Sequence, residues 1–154
     1  MEKRIIEVFT DSTRRTFHEM FALEASFLGS REIATGKDHG WDITGLVGLA
    51  GQAQGVVALR LTAAILEALL DGSGIEVSGA EERVQLSAGL IGELTNIVAG
   101  SATSALKGLE LTIAPPVVIR GPSHEIGWPA IAPVLGLSFG LPTGQFEVDL
   151  CLRW

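Results

Sequence analysis

Glu81-Glu82-Arg83-Val84-Gln85-Leu86-Ser87-Ala88-Gly89-Leu90-Ile91-Gly92-Glu93-Leu94-Thr95-Asn96-Ile97-Val98-Ala99-Gly100 decides the fold, because it sustains a helical period over many turns. Advancing about 100° per residue from Leu86 places Leu86, Leu90, Leu94, Ile97, Val98 and Ser101 within an arc of roughly 120°. An apolar arc of that width predicts the buried stripe of an amphipathic helix. Gly89, Glu93, Asn96 and Gly100 cluster just off that stripe, beside one another. Glycine inside a helix costs about 1 kcal/mol against alanine. Two glycines beside a carboxylate and a carboxamide suggest that something must come close to this backbone. The plain alternative is a solvated Glu and Asn, with glycines that serve helix-on-helix or helix-on-sheet packing.

The chain has 154 residues, which predicts one domain over 1–154 with a sizeable core. Hydrophobic residues make up 47% and charged residues 19%, a globular composition. A net charge of −7 argues against a general binder of nucleic acid or anionic membrane, whose affinity rests on Lys and Arg. Met1-Glu2-Lys3-Arg4-Ile5-Ile6-Glu7 has no long apolar core, so no signal peptide is expected. No apolar run approaches the ~18 residues of a membrane span. The single cysteine, Cys151, excludes an internal disulfide and fits a reducing cytosol, hence a cytoplasmic location. Its place in an alternating strand suits a structural role better than a nucleophilic one.

Working outward, Ile5, Phe9, Thr13, Phe17, Met20 and Phe21 keep a spacing of three to four and predict a helix over residues 4–24. A loop follows from Gly36 to Gly40. Ile43–Ala50 and Val56–Leu61 are apolar runs around Gly51-Gln52-Ala53-Gln54-Gly55, a hairpin signal. Thr62 is a candidate N-cap for a short helix from Ala63 to Leu70, ended by Asp71-Gly72-Ser73-Gly74. The long helix is expected over about 81–107. Ile113–Arg120 is a strand candidate interrupted by Pro115-Pro116, which suggests an edge or an irregular start. Val134–Leu141 is the next. The last strand alternates Phe146, Val148, Leu150, Leu152 and Trp154 against Glu147, Asp149, Cys151 and Arg153. The order predicts an α+β fold: a largely antiparallel sheet, one face buried under two long helices and one short helix.

Other chemical motifs are thin. His18, His39 and His124 lie far apart and show no ligand spacing, so no metal site is expected. Asp38-His39 lacks the Gly-x-Ser-x-Gly elbow of a hydrolase nucleophile. Gly45, Gly48, Gly51 and Gly55 suit a hairpin and do not form Gly-x-Gly-x-x-Gly. Trp41, Trp128 and Trp154 are scattered and suit core or loop anchors.

The order of elements, with Gly55-Val56-Val57-Ala58-Leu59 before a short helix and Gly92-Glu93-Leu94-Thr95-Asn96-Ile97-Val98-Ala99-Gly100 within the long one, resembles the CheC/CheX/FliY family of chemotaxis phosphatases. The similarity continues through Ala114-Pro115-Pro116-Val117-Val118-Ile119-Arg120-Gly121 and covers about residues 5–154. CheC-type members carry two Glu-x-x-Asn helices, and the single one here fits the CheX type. Fuller versions of the family pattern carry Asp or Ser four residues before the Glu, where this chain has Gly89.

The resemblance implies a CheC-like fold, a homodimer formed by sheet pairing, and the phosphoaspartate of a phosphorylated CheY-like response regulator as substrate. It implies no cofactor of the chain's own, the Mg²⁺ being the regulator's. An acyl phosphate is already activated, so it needs a positioned water and charge stabilisation. Asn96 suits the first need, since a carboxamide accepts and donates hydrogen bonds without bringing charge to an anionic site. Glu93 is a poor base beside a phosphoryl group, and its family role is an ion pair with the regulator's active-site lysine. Gly89 and Gly100 are then partner-binding positions. The alternative from a different class is a catalytically weak adaptor that only binds the regulator.

Overall fold

The computed structural model describes residues 1–34 and 40–154, so Asp38, His39 and all but the end of the loop expected at 36–40 lie outside the described residues. The elements are α1 (Glu2–Phe21), β1 (Ser26–Ile33), β2 (Ile43–Gly51), β3 (Gln54–Leu61), α2 (Ala63–Gly72), α3 (Ala80–Ala105), β4 (Leu111–Ile113), β5 (Val117–Arg120), β6 (Val134–Leu141) and β7 (Gly144–Arg153). The strands form one antiparallel sheet in the order β1-β6-β7-β3-β2-β4, with β5 also on β2. The α+β architecture is the expected one. Thr62 caps α2 as predicted, its Oγ1 accepting from the Ile65 amide at 3.3 Å. The Asp42 carboxylate accepts from the Ala63 amide at 2.6 Å and holds the same turn.

Two strands depart from expectation. The periodicity gives no strand at 26–33, yet β1 pairs with β6 there. Only Ile33 of β1 is buried, and the register shifts between Phe27 and Gly29, so the strand carries no alternation to detect. Gly29 makes that shift with a φ of 136°, a backbone region glycine enters without strain. The strand expected at 113–120 divides into β4 and β5. Ala114 donates to the Gly48 carbonyl at 2.9 Å, and then Pro115 and Pro116, having no N–H, leave the ladder until Val117 rejoins it opposite Leu46.

The helices cover one face of the sheet. Phe17 of α1 stacks on Phe146 at 4.5 Å, and Phe146 stacks on Phe139 at 5.2 Å, joining α1 to β7 and β6. In α3 the buried stripe is rotated by roughly a quarter turn from the predicted one. Ser87, Ile91, Leu94, Thr95, Val98, Ala99 and Ala102 are buried, whereas Ile97 is 37% exposed. The physical reason is close approach. Gly45 of β2 leaves room for Thr95 and Ile91, so small residues face the sheet where a hydrophobicity count expects leucines. The Ser12 hydroxyl donates to the Val98 carbonyl at 2.8 Å and fixes α1 alongside.

The other sheet face is covered too. Phe146, Val148 and Leu150 join the core as predicted, but Glu147, Asp149 and Cys151, on the alternate register, are also buried. The chain between β5 and β6 folds over Cys151, with Trp128, Ile131 and Ala132 packed on Ile33, Val134 and Cys151. On this face Arg60 and Asp149 pair at 3.5 Å, 1% and 0% exposed. Arg60 Nε donates to Thr44 Oγ1 at 3.3 Å, and that hydroxyl meets His124 Nε2 at 2.6 Å. Trp41 lies 6.0 Å from the Arg60 guanidinium, an anchor as expected, whereas Trp154, just past β7, is exposed.

Candidate functional site

Thr95 is pinned inward, against Gly45 on one side and with its hydroxyl donating to the Ile91 carbonyl at 2.7 Å on the other. The next residue, about 100° further round the helix, therefore faces out. Asn96 is exposed, and Glu93, one turn earlier, is exposed beside it. Neither side chain makes a hydrogen bond or ion pair with any described residue. Most of the polar side chains of α3 do otherwise. Ser87 donates to the Arg83 carbonyl at 2.6 Å, Thr103 to the Gly100 carbonyl at 3.1 Å, Glu82 accepts from Ser78, and Arg83 pairs with Glu67 and Asp71. The one asparagine of the chain is thus held on a rigid helix with its carboxamide fully available.

The glycines divide into two kinds. Gly92, one turn before Asn96, is buried under the β4–β5 connection, and a methyl group there would sit 3.5 Å from Pro116 Cγ. Gly100, one turn after, is half-buried, with Ile113 Cδ1 3.7 Å from where its Cβ would be. Gly89 is exposed, with nothing within 4 Å of that position. The exposed Pro115 and Pro116 consequently run along the flank of α3 on which Asn96 stands between two glycines. Sequence reasoning missed Gly92 as the packing glycine. The Pro115-Pro116 break immediately before the valine-rich strand Val117–Arg120 was the available signal.

The remaining chemical groups lie elsewhere. His18 is exposed, 3.6 Å from Glu24, and His124 Nδ1 donates to the Gly121 carbonyl at 2.8 Å on the far sheet face. Cys151 sits 3.4 Å from the Pro129 and Ala132 carbonyls, and burial pushes its thiol up, away from thiolate chemistry. Among the described residues no group of three or more His, Cys, Asp or Glu could hold a metal ion. A cavity of about 400 Å³ opens between Ile5, Arg31, Leu135, Leu152 and Trp154, and no α3 residue lines it. The Glu93–Asn96 pair is a presented helix face rather than a small-molecule pocket, a geometry suited to a macromolecular partner. No helix among the described residues is long and apolar enough to cross a membrane.

No functionally curated protein matches this chain. Solved structures do. A CheC-like superfamily protein from Shewanella sp. PV-4 is 25% identical, with a TM-score of 0.87 over 100% of both chains. The chemotaxis protein CheX from Desulfovibrio desulfuricans is 25% identical, with a TM-score of 0.85 over 97% of this chain and 99% of that one. The CheX of the Borrelia burgdorferi CheX–CheY–BeF₃–Mg²⁺ complex shares the fold at 24% identity, with a TM-score of 0.82 over 97% of each chain. Residues 43–139, from the start of β2 into β6 and so including all of α3, match the family model of the chemotaxis phosphatase CheX. This chain therefore belongs to the CheX family of chemotaxis phosphatases.

Proposed function

We propose that the protein hydrolyses the phosphoaspartate of a CheY-like response regulator, with Asn96 orienting the attacking water and Glu93 anchoring the partner. The observation that carries this reading is the availability of both side chains: exposed, one helical turn apart, and unengaged on a helix whose other polar groups are mostly spoken for. Family membership supports the reaction class, and the CheY complex of the Borrelia relative supports the class of partner.

The chemistry follows from what each group can do. Asn96 accepts a water hydrogen through its carbonyl oxygen or donates through its amide, and so sets the water in line with phosphorus. This resembles the water-orienting glutamine of small GTPases. Glu93 pairs with the regulator's active-site lysine and fixes the docking register, while Gly89 and Gly100 let the partner's backbone come near the helix. Mg²⁺ bound by the regulator neutralises phosphoryl charge, and this chain supplies no metal of its own. A homodimer by sheet pairing is part of the same reading. Among the described residues β1 pairs only with β6, which leaves a strand edge for it. The lone cysteine and the acidic charge fit a cytoplasmic protein that binds neither nucleic acid nor membrane.

A second reading, the catalytically weak adaptor, is favoured by Gly89 standing where fuller versions of the pattern carry Asp or Ser. One assay separates the two. A CheY-like receiver phosphorylated with acetyl phosphate loses its phosphate faster when the protein is added at substoichiometric amounts. An adaptor leaves the decay unchanged or slows it.

A further inference from the structure

The exposed face of α3 is almost free of charge. Between Arg83 and Lys107 the only charged side chain is Glu93, in a chain of which 19% is charged. The solvent side of a helix normally carries its charged residues. Here it carries Gln85, Gly89, Glu93, Asn96, Ile97 and Ser104, all exposed. Ile97 is 37% exposed although the helical pattern assigns it to the core. It follows Glu93 by four residues and so stands one turn away on the same side of the helix. Arg15, donating to Ser101 Oγ at 2.6 Å, holds α1 beside the next turn, so the helix surface around Ile97 is fixed before any partner arrives.

Resting on the phosphatase reading above, we propose that Ile97 is a specificity-determining docking residue for the response regulator. The occupant of this face is the receiver surface beside its phosphorylation site, with one cation for Glu93 and an apolar patch for Ile97. Complementarity of charge selects this occupant. A single carboxylate on α3 beside an apolar residue, with the Arg15 guanidinium held by Ser101 one turn beyond, accepts a partner that brings one cation opposite Glu93 and none opposite Arg15. A partner with several cations there would bury them unpaired or against Arg15. Ile97 touches neither the phosphoryl group nor the water. It acts on docking alone.

The test is steady-state dephosphorylation of a CheY-like receiver by Ile97→Ala, Ile97→Asp and Asn96→Ala, at low and high salt, with thermal melting and sedimentation of each. Ile97→Ala should raise KM about tenfold with kcat retained, the scale of a truncated apolar interface anchor. Its loss should not change with ionic strength, because an apolar contact is not screened. Ile97→Asp should raise KM further. Unchanged KM in both Ile97 variants, while Asn96→Ala still lowers turnover roughly a hundredfold, overturns the docking role and leaves the phosphatase reading standing. Full turnover in Asn96→Ala overturns that reading first. A change of oligomeric state in Ile97→Asp without a change in KM assigns the face to a second copy of this chain, and also overturns the proposal. Should Ile97→Asp melt early, Ile97→Ser and the salt-independence of Ile97→Ala decide.

Discussion

Gly45 of β2 lies directly beneath Thr95 of α3, so close that a methyl group at Gly45 would overlap the Thr95 hydroxyl. Thr95 cannot swing clear cheaply, since that hydroxyl is bonded to the Ile91 carbonyl at 2.7 Å. The contact sets the rotation of α3 and thereby aims Asn96 away from the sheet. Gly45→Ala should overpack this seam and destabilise the fold by about 1–3 kcal/mol. Urea unfolding measures it, and a neutral Gly45→Ala would mean that the helix position is set elsewhere.

The seam also explains why part of the fold is hidden in the sequence. The β2–β3 hairpin, the Thr62 cap and the β6 and β7 strands are legible because each has a local signal: an alternating run, a Gly-bounded turn, a hydroxyl at a helix start. The rotation of α3 is not, because Gly45, Thr95, Ala99 and Ala102 meet through close packing of small groups, which hydropathy scores as weak. Hydropathy therefore assigns Ile97 inward. The edge strand β1 lacks alternation because only one residue of it is buried. Glu93 and Asn96 are legible as a spacing, but their freedom from internal partners emerges only in three dimensions.

Asp149 should be among the most sensitive positions outside α3. It is 0% exposed and faces Arg60, itself 1% exposed, on a neighbouring strand. Asp149→Ala would take away a carboxylate that a buried guanidinium faces and should cost about 3–5 kcal/mol, whereas replacing both residues by apolar ones of similar volume should cost far less. Equilibrium unfolding of the single and double variants tests this. Equal losses in both would show that shape, not charge, sustains the site. The local alternation of β7 cannot reveal this pair, because Arg60 comes from a strand distant in sequence.

Cys151 should react with a thiol reagent only on unfolding. Burial raises its pKa above the ordinary cysteine value, so the folded protein keeps the neutral thiol to higher pH than the unfolded chain does. The corresponding stability is fully present below the ordinary thiol pKa and is lost as pH rises through the folded one. A native protein that labels at neutral pH as fast as a free thiol would refute the buried assignment.

Gly89 has open space around it and no left-handed backbone, so Gly89→Ala should gain up to ~1 kcal/mol from helical propensity. The partner-approach reading adds that Gly89→Leu, equally free of internal clashes at its Cβ, should nonetheless weaken turnover on a phosphorylated receiver by steric bulk. Thermal melting beside a phosphate-release assay separates the two effects. A Gly89→Leu protein with full activity would remove Gly89 from the docking surface.

The most direct test of the central claim compares Asn96→Ala with Glu93→Lys on one phosphorylated CheY-like receiver, following phosphate release and binding to its beryllofluoride form. Asn96→Ala should fold within about 0.5 kcal/mol of the parent, as exposed substitutions do. It should bind the receiver nearly normally and lose roughly a hundredfold in hydrolysis, the scale of one positioned catalytic group. Glu93→Lys should lose binding, because it sets a cation against a cation. Full hydrolysis by Asn96→Ala, in a protein that folds and binds, would contradict the account.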